Sequence, residues 1–228
     1  MRPGVQVSPL LPLRSVSETI TFAALAAKTY GDAAFTVSAS ASSGLAVSFA
    51  ASGNCTVSGA TVTITGAGSC TITASQAGDA NYNAATSVPQ LFTIAKAPLT
   101  ITASSPADIL YGAAAPTVTA SFSGFVAGDD AGDLGGTLTC GTAYTAGNPV
   151  GPYTTSCSGA TSSNYDITYA GGSFDVTPAP LTITASSPAD ILYGAAAPTV
   201  TASYAGFVLD QTAAVLTTAP TCSTTYTA

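Results

Sequence analysis

The chain has 228 residues, only 7% of them charged, with a formal net charge of −7 and no histidine. Its four basic residues, Arg2, Arg14, Lys28 and Lys96, cannot neutralise a run of phosphates or hold the chain on an anionic bilayer, which excludes nucleic-acid and membrane-surface binding. Without histidine there is no usual general base, no Ser-His-Asp or Cys-His constellation and none of the commonest metal ligand, so the chain is read as non-enzymatic and without a cofactor. The mean hydropathy of +0.42 comes from Ala and Val spread through the sequence. No apolar run approaches the ~20 residues of a spanning helix. Thr and Val favour strands, and 22 Gly with 14 Pro punctuate them, so the expected class is all-β.

Residues 1–16 carry no periodicity and read as an unstructured lead-in, since Pro3, Pro9 and Pro12 interrupt any signal-like apolar segment. Alternation then picks out short strands around Val37, Ala39 and Ala41, around Val47 and Phe49, and at Cys55/Val57, Val62/Ile64 and Cys70/Ile72. A two-residue turn at Gly59-Ala60 would set Val57 opposite Val62 and Cys55 opposite Ile64, with all four on one face. A loop from Asn81 and a last strand ending near Lys96 close this stretch.

The 25 residues Ala97 to Ser121 recur without change at Ala179 to Ser203, an offset of 82. Sliding the first stretch by 81 lays Ile20 on Ile101 and Tyr30-Gly31 on Tyr111-Gly112, so it is a diverged relative of the other two. Three repeats follow: 17–96, 97–178 and 179–228, of which the third is only a first part. The second repeat reads as strands LTITA, PTVTASF, GTLTC, PYTTSC and a hairpin DITYAGGSFDVT, whose Gly171-Gly172 turn would pair Tyr169 with Phe174 and Ile167 with Val176. The junctions AKAPLTI and TPAPLTI hold proline rather than a flexible Gly/Ser run, so the repeats are expected to form a semi-rigid rod. A part repeat has open strand edges, which makes 179–228 the least stable stretch and suggests a piece of a longer exported protein.

The five cysteines sort by repeat: Cys55 with Cys70, Cys140 with Cys157, and Cys222 alone, 82 after Cys140. In a flat three-strand meander Cys55 and Cys70 would stand two strand spacings, roughly 9–10 Å, apart, too far for a disulfide. If Gly66-Ala67-Gly68 instead carries the chain to a second sheet, both sulfurs face one core, which fits a sandwich and an oxidising compartment. Free thiols and metal ligation are the weaker readings, since there is no CxxC pair. Cys222 is read as unpaired.

The one acidic cluster is Asp129, Asp130 and Asp133, which reads either as a calcium loop or as a solvated Gly/Asp turn. The Tyr-Gly pairs Tyr30-Gly31, Tyr111-Gly112 and Tyr193-Gly194 are shared by all three repeats. They could be ligand-stacking platforms. The preferred reading is structural: glycine turns the chain while tyrosine covers the sandwich end and reaches a backbone group.

At these residues the sequence becomes specific. LTITASSPADILYGAAAPTVTAS, with SGFVAGDD, the two cysteines, SNYDITYAGG and SFDVTPA, resembles the MBG domain of the YGX type, a repeat of very large bacterial secreted and surface proteins. The first repeat, with KTYGDAAFTVSAS, GNCTV and TVTITGAGSCTITASQAGDANYNAA, resembles the Ig-like repeats that accompany it. The resemblance implies tandem β-sandwich modules in an adhesin stalk or spacer outside a bacterial cell. Host or environmental glycans, surface proteins and neighbouring repeats are the implied partners. Two alternatives are a glycan- or mucin-binding module using exposed tyrosines, and the spacer of an extracellular enzyme whose catalytic domain lies elsewhere.

Overall fold

The computed structural model describes residues 16–126 and 128–226; of the expected lead-in only Val16 is among them, in an isolated bridge to Tyr82. Among the described residues the regular structure is β-strand, apart from two three-residue 3₁₀ turns at Ala131–Asp133 and Ala213–Val215. The chain divides into two compact units. One holds the residues up to Thr100 with Phe122–Thr137 and Ala160–Thr168; the other holds Ile101–Ser121, Leu138–Gly159 and the residues from Tyr169 on.

The first unit contains strands β1 (Ile20–Phe22), β2 (Lys28–Thr29), β3 (Phe35–Thr36), β4 (Ala39–Ala41), β5 (Ser48–Gly53), β6 (Cys55–Ser58), β7 (Thr61–Ile64), β8 (Gly68–Ser75) and β9 (Val88–Ala95). They form sheets ordered β2-β9-β8-β5 and β3-β7-β6, with β1 paired to β4. The stretch around Val37 is therefore not one strand: β3 pairs with β7 and β4 with β1, so the alternation continues while the hydrogen-bonding partner changes. The Gly59-Ala60 turn sets Val57 opposite Val62 and Cys55 opposite Ile64, the register its alternation predicts. The inward residues make one core, with Val62, Cys70, Ile72 and Ala74 fully enclosed and Phe22, Phe92 and Ile94 around them.

The Cys55–Cys70 disulfide joins β6 to β8 in the other sheet, with the Cα atoms 5.7 Å apart. The chain changes sheets twice to allow it, once at Gly53-Asn54 and again in the residues Thr65–Ala67 before β8. Gly53 takes φ +89°, and a Cβ there would collide with the Ser69 carbonyl, so the first crossing depends on glycine.

Next come β10 (Ala97–Ala103), β11 (Ile109–Leu110), β12 (Ala120–Ser123), β13 (Gly135–Thr142), β14 (Gly151–Thr161), β15 (Tyr165–Ala170) and β16 (Gly172–Thr177). β12 is shorter than PTVTASF suggested, because Pro116–Thr119 is not strand. The expected β15–β16 hairpin does not form. β16 belongs to the sheet β11-β16-β14-β13 and β15 to the sheet β12-β10-β15, and Phe174 stands opposite Tyr153 and Val176 opposite Gly151. Gly171-Gly172 is a crossing between sheets rather than a reversal within one. The Gly172 N–H is taken by Thr155 Oγ1 at 3.1 Å, and a Cβ on Gly172 would lie 2.8 Å or less from the Ala103 and Ser104 carbonyl oxygens.

In the second unit Tyr144, Phe174 and Val176 form a small core with Ile109, Tyr111 and Tyr153 against it. Tyr144 and Phe174 meet edge to face at 5.9 Å. The Cys140–Cys157 disulfide joins the neighbouring strands β13 and β14 of one sheet, unlike the sheet-to-sheet bond of the first pair. The third repeat contributes β17 (Thr182–Ala185) antiparallel to β18 (Ala202–Ala205), and Cys222 carries a free thiol.

Candidate functional site

The Tyr-Gly pair begins as local backbone chemistry. Thr29 to Asp32 form a turn closed by Asp32 N–H to Thr29 O at 3.0 Å, and Gly31 sits third in it with φ +92°. Leu110 to Ala113 and Leu192 to Ala195 close the same way, with φ +88° at Gly112 and +80° at Gly194. A left-handed third residue is what demands glycine. The tyrosine before it packs against its own repeat: Tyr30 on the first core, Tyr111 on the Tyr144/Phe174 core. Its backbone N–H bonds Ala95 O at 2.9 Å in one case and Thr177 O at 2.7 Å in the other.

Each of these two tyrosines then reaches residues of the following sequence repeat. In the first unit Tyr30 Oη donates to Asp129 Oδ2 at 2.9 Å, Tyr165 Oη donates to the same oxygen at 2.5 Å, and Tyr165 Oη accepts from Val126 N–H at 2.9 Å. The Tyr30 and Tyr165 rings meet edge to face at 5.7 Å, and Phe125 closes on Tyr165 at 5.5 Å. Val126 lies over Gly31, where a Cβ would stand 2.6 Å from its Cγ2. In the second unit Gln211 Nε2 donates to Tyr111 Oη at 3.1 Å, and Val208 lies over Gly112 with its Cγ2 2.7 Å from where a Cβ would be. Val208 and Gln211 follow Val126 and Asp129 by 82, so the two joints are the same device with one partner changed from a carboxylate to an amide.

The tyrosine hydroxyls thus meet side chains, not the backbone group expected. The backbone tether belongs to another tyrosine that sequence reading passed over: Tyr144 Oη donates to Ala113 O and Tyr226 Oη to Ala195 O, each at 3.1 Å. Their own offset of 82 was the available signal. Further ties in the first joint are Ala67 N–H to Asn164 Oδ1 at 3.0 Å and Lys96 Nζ to Ser162 O at 2.6 Å.

Burial, reinforced by the bond to Asp129, pushes the Tyr165 hydroxyl up to about 12, and the same two causes raise Tyr30. Such hydroxyls stay protonated near neutral pH, where they serve as donors rather than as nucleophiles or bases. The three carboxylates read as a calcium candidate have separate tasks. Asp129 takes the tyrosines, Asp130 Oδ1 accepts Gly132 N–H at 2.6 Å, and Asp133 Oδ2 accepts Asp130 N–H at 2.8 Å. The equivalent turn at Ala213–Val215 forms with Thr212 capping it and with Gln211 and Val215 in the places of Asp129 and Asp133, so the turn takes its shape without those three carboxylates. Among the described residues no group of three His, Cys, Asp or Glu is placed to hold a metal ion. Beside Tyr111 a cavity of about 430 Å³ opens among Val150, Leu181, Phe207, Val208 and Leu216.

The Tyr-Gly-Ala turn at Tyr111 lies within a recognisable segment. Residues 99–175 match the family model of the MBG domain (YGX type). The MBG match takes in the Tyr111 turn, the Asp129 loop, Tyr165 and the Cys140–Cys157 pair. No curated protein matches the chain. Among solved structures, Dscam1 isoform 7.44 (N-terminal four Ig domains) matches at 9% identity and TM-score 0.34, covering 71% of this chain and 46% of that one. Drosophila N-cadherin EC1-4 matches at 9% identity and TM-score 0.30, covering 72% and 50%. The chain thus spans about half the length of those structures, and at such scores nothing about it follows from what they do.

Proposed function

We propose that this chain is a non-catalytic structural and adhesion repeat module of an extracellular protein, a stalk or spacer of a bacterial surface or secreted protein. Its modules are 17–96, 97–178 and 179–228, and the Tyr-Gly motifs at Tyr30 and Tyr111 lock one module to the next. The observation that carries this reading is the duplicated joint. In two successive repeats the motif's tyrosine is anchored on its own core and hydrogen-bonded to the next repeat, through Asp129 in one case and Gln211 in the other. Aromatic rings committed in this way are not stacking platforms for a sugar. The two disulfides fit an oxidising location outside the cell.

A glycan array probed with the full chain tests the assignment against the glycan- or mucin-binding alternative. The structural reading expects no saturable binding to any glycan. Binding abolished by Tyr30→Phe or Tyr193→Ala, with the melting temperature unchanged, would overturn it.

A further inference from the structure

Ala97 to Ser121 and Ala179 to Ser203 are the same 25 residues in two different surroundings. In the first copy Gly112 is covered by Val208, and Tyr111 is half-buried and bonded to Gln211. In the second copy nothing lies within 4 Å of a Cβ on Gly194, Tyr193 is 102% exposed and Leu192 85% exposed. The turn itself is nonetheless built. Ala195 N–H bonds Leu192 O at 3.1 Å, and Tyr226 braces the Ala195 carbonyl as Tyr144 braces Ala113.

We infer that the exposed face formed by Leu192, Tyr193 and Gly194 is the receiving half of a repeat-to-repeat joint, and that its occupant is the Gly-Phe-Val face of a further MBG-type repeat joined in tandem. Two seated examples define the occupant's chemistry. Gly124-Phe125-Val126 and Gly206-Phe207-Val208 each lay a valine on the motif glycine, and three residues after that valine each supplies a polar side chain to the motif tyrosine. Glycine is what lets the valine methyls come so near the backbone. A second copy of this chain is a poor occupant, because its own Val126 and Val208 already sit on Gly31 and Gly112. The inference rests on the structural reading above, but the two fail separately: the glycan array reports on that reading, and labelling of Tyr193 reports on docking.

The test extends the full chain after Ala228 with a second copy of residues 147–228, in which the counterpart of Tyr193 is replaced by phenylalanine. The extension continues the 82-residue register, because Ala228 corresponds to Ala146, and brings a new Gly-Phe-Val face. Tyrosines are nitrated under native conditions and read by mass spectrometry; the peptides of Tyr111 and Tyr193 differ in the residues after Ser121 and Ser203. In the original chain Tyr193 should label several-fold faster than Tyr111. In the extended chain it should fall to the level of Tyr111, and an aspartate in place of the appended Val208 should restore fast labelling. Unchanged labelling of Tyr193 in an extended chain whose Tyr111 stays protected would overturn the inference.

A second measurement needs no extension. Gly112→Ala and Gly194→Ala carry the same left-handed backbone penalty, but only the first adds a clash with Val208. Gly112→Ala should therefore lower the melting temperature more than Gly194→Ala, and equal losses would count against the joint.

Discussion

Asp129→Ala removes the one acceptor on which two tyrosine hydroxyls converge, and the cost can be worked from their burial. Tyr165 is 3% exposed and Tyr30 only partly buried, so the Tyr165 bond carries most of the loss. A hydrogen bond to a charged group contributes about 1.5–3 kcal/mol, and the half-buried Tyr30 adds roughly 0.5–1 kcal/mol. Asp129 is itself only half-buried, so deleting it recovers little desolvation energy. The expected net loss is about 2–4 kcal/mol, and Asp129→Asn, which keeps a carbonyl acceptor, should lose about half of that. Urea unfolding followed by tyrosine fluorescence suits a chain with 10 tyrosines and no tryptophan. In a cycle with Tyr165→Phe the coupling should be about 1–2 kcal/mol. A loss below about 0.5 kcal/mol for Asp129→Ala, or no coupling, would refute the joint as a source of stability.

The raised tyrosines set a pH dependence. Unfolded tyrosine releases its proton near 10, whereas Tyr165 holds it to about 12. Between those values the folded state binds more protons, so stability is undiminished below about pH 10 and falls as pH rises through about 12. Absorbance titration should show a late step that moves down in Asp129→Asn; a single step near 10 for every tyrosine would contradict it. Thr155 is 1% exposed and its hydroxyl both donates to Ser104 O at 2.7 Å and accepts from Gly172 N–H, so Thr155→Val should cost about 2 kcal/mol in urea unfolding. Replacing Cys55 and Cys70 together with alanine opens a 15-residue loop and should cost about 3 kcal/mol. A thiol count under denaturing conditions without reductant should give one per chain, Cys222; five would refute both disulfides.

Much of the fold was legible because alternation and glycine turns act locally. The β6–β7 register followed from Gly59-Ala60, and the need for a sheet crossing before Cys70 followed from the reach of a disulfide. The β15–β16 hairpin was misread for the same local reason. Gly171-Gly172 suits a tight turn, but whether two glycines reverse a strand or carry it to another sheet is decided by what sits beside them. Here that is the Thr155 hydroxyl and the carbonyls of Ala103 and Ser104, distant in sequence. The joint was half legible: the motif glycines were found by their spacing and Asp129 was singled out only as a calcium candidate, while its bond to Tyr30 and the parts of Val126, Val208 and Gln211 were not, since a residue 99 or 100 positions away has no local signature.

The identical copies show where local sequence stops determining structure. Ile109–Leu110 is a strand, because Val176 and Thr177 lie alongside it in parallel; Ile191–Leu192, the same two residues in the same local sequence, is not. The glycine turn that follows is present in both, with the same hydrogen bond and nearly the same φ. The turn is therefore a property of Tyr-Gly-Ala itself, and the strand before it a property of the neighbour. A motif that holds its shape before its partner arrives spends little conformational entropy on ordering when that partner docks, which is what a repeated joint requires. This accounts for the Tyr-Gly pair and its turn recurring from repeat to repeat while the partner differs, Asp129 for Tyr30 and Gln211 for Tyr111. The glycine and the turn have one solution, whereas a tyrosine hydroxyl is satisfied by a carboxylate or an amide alike.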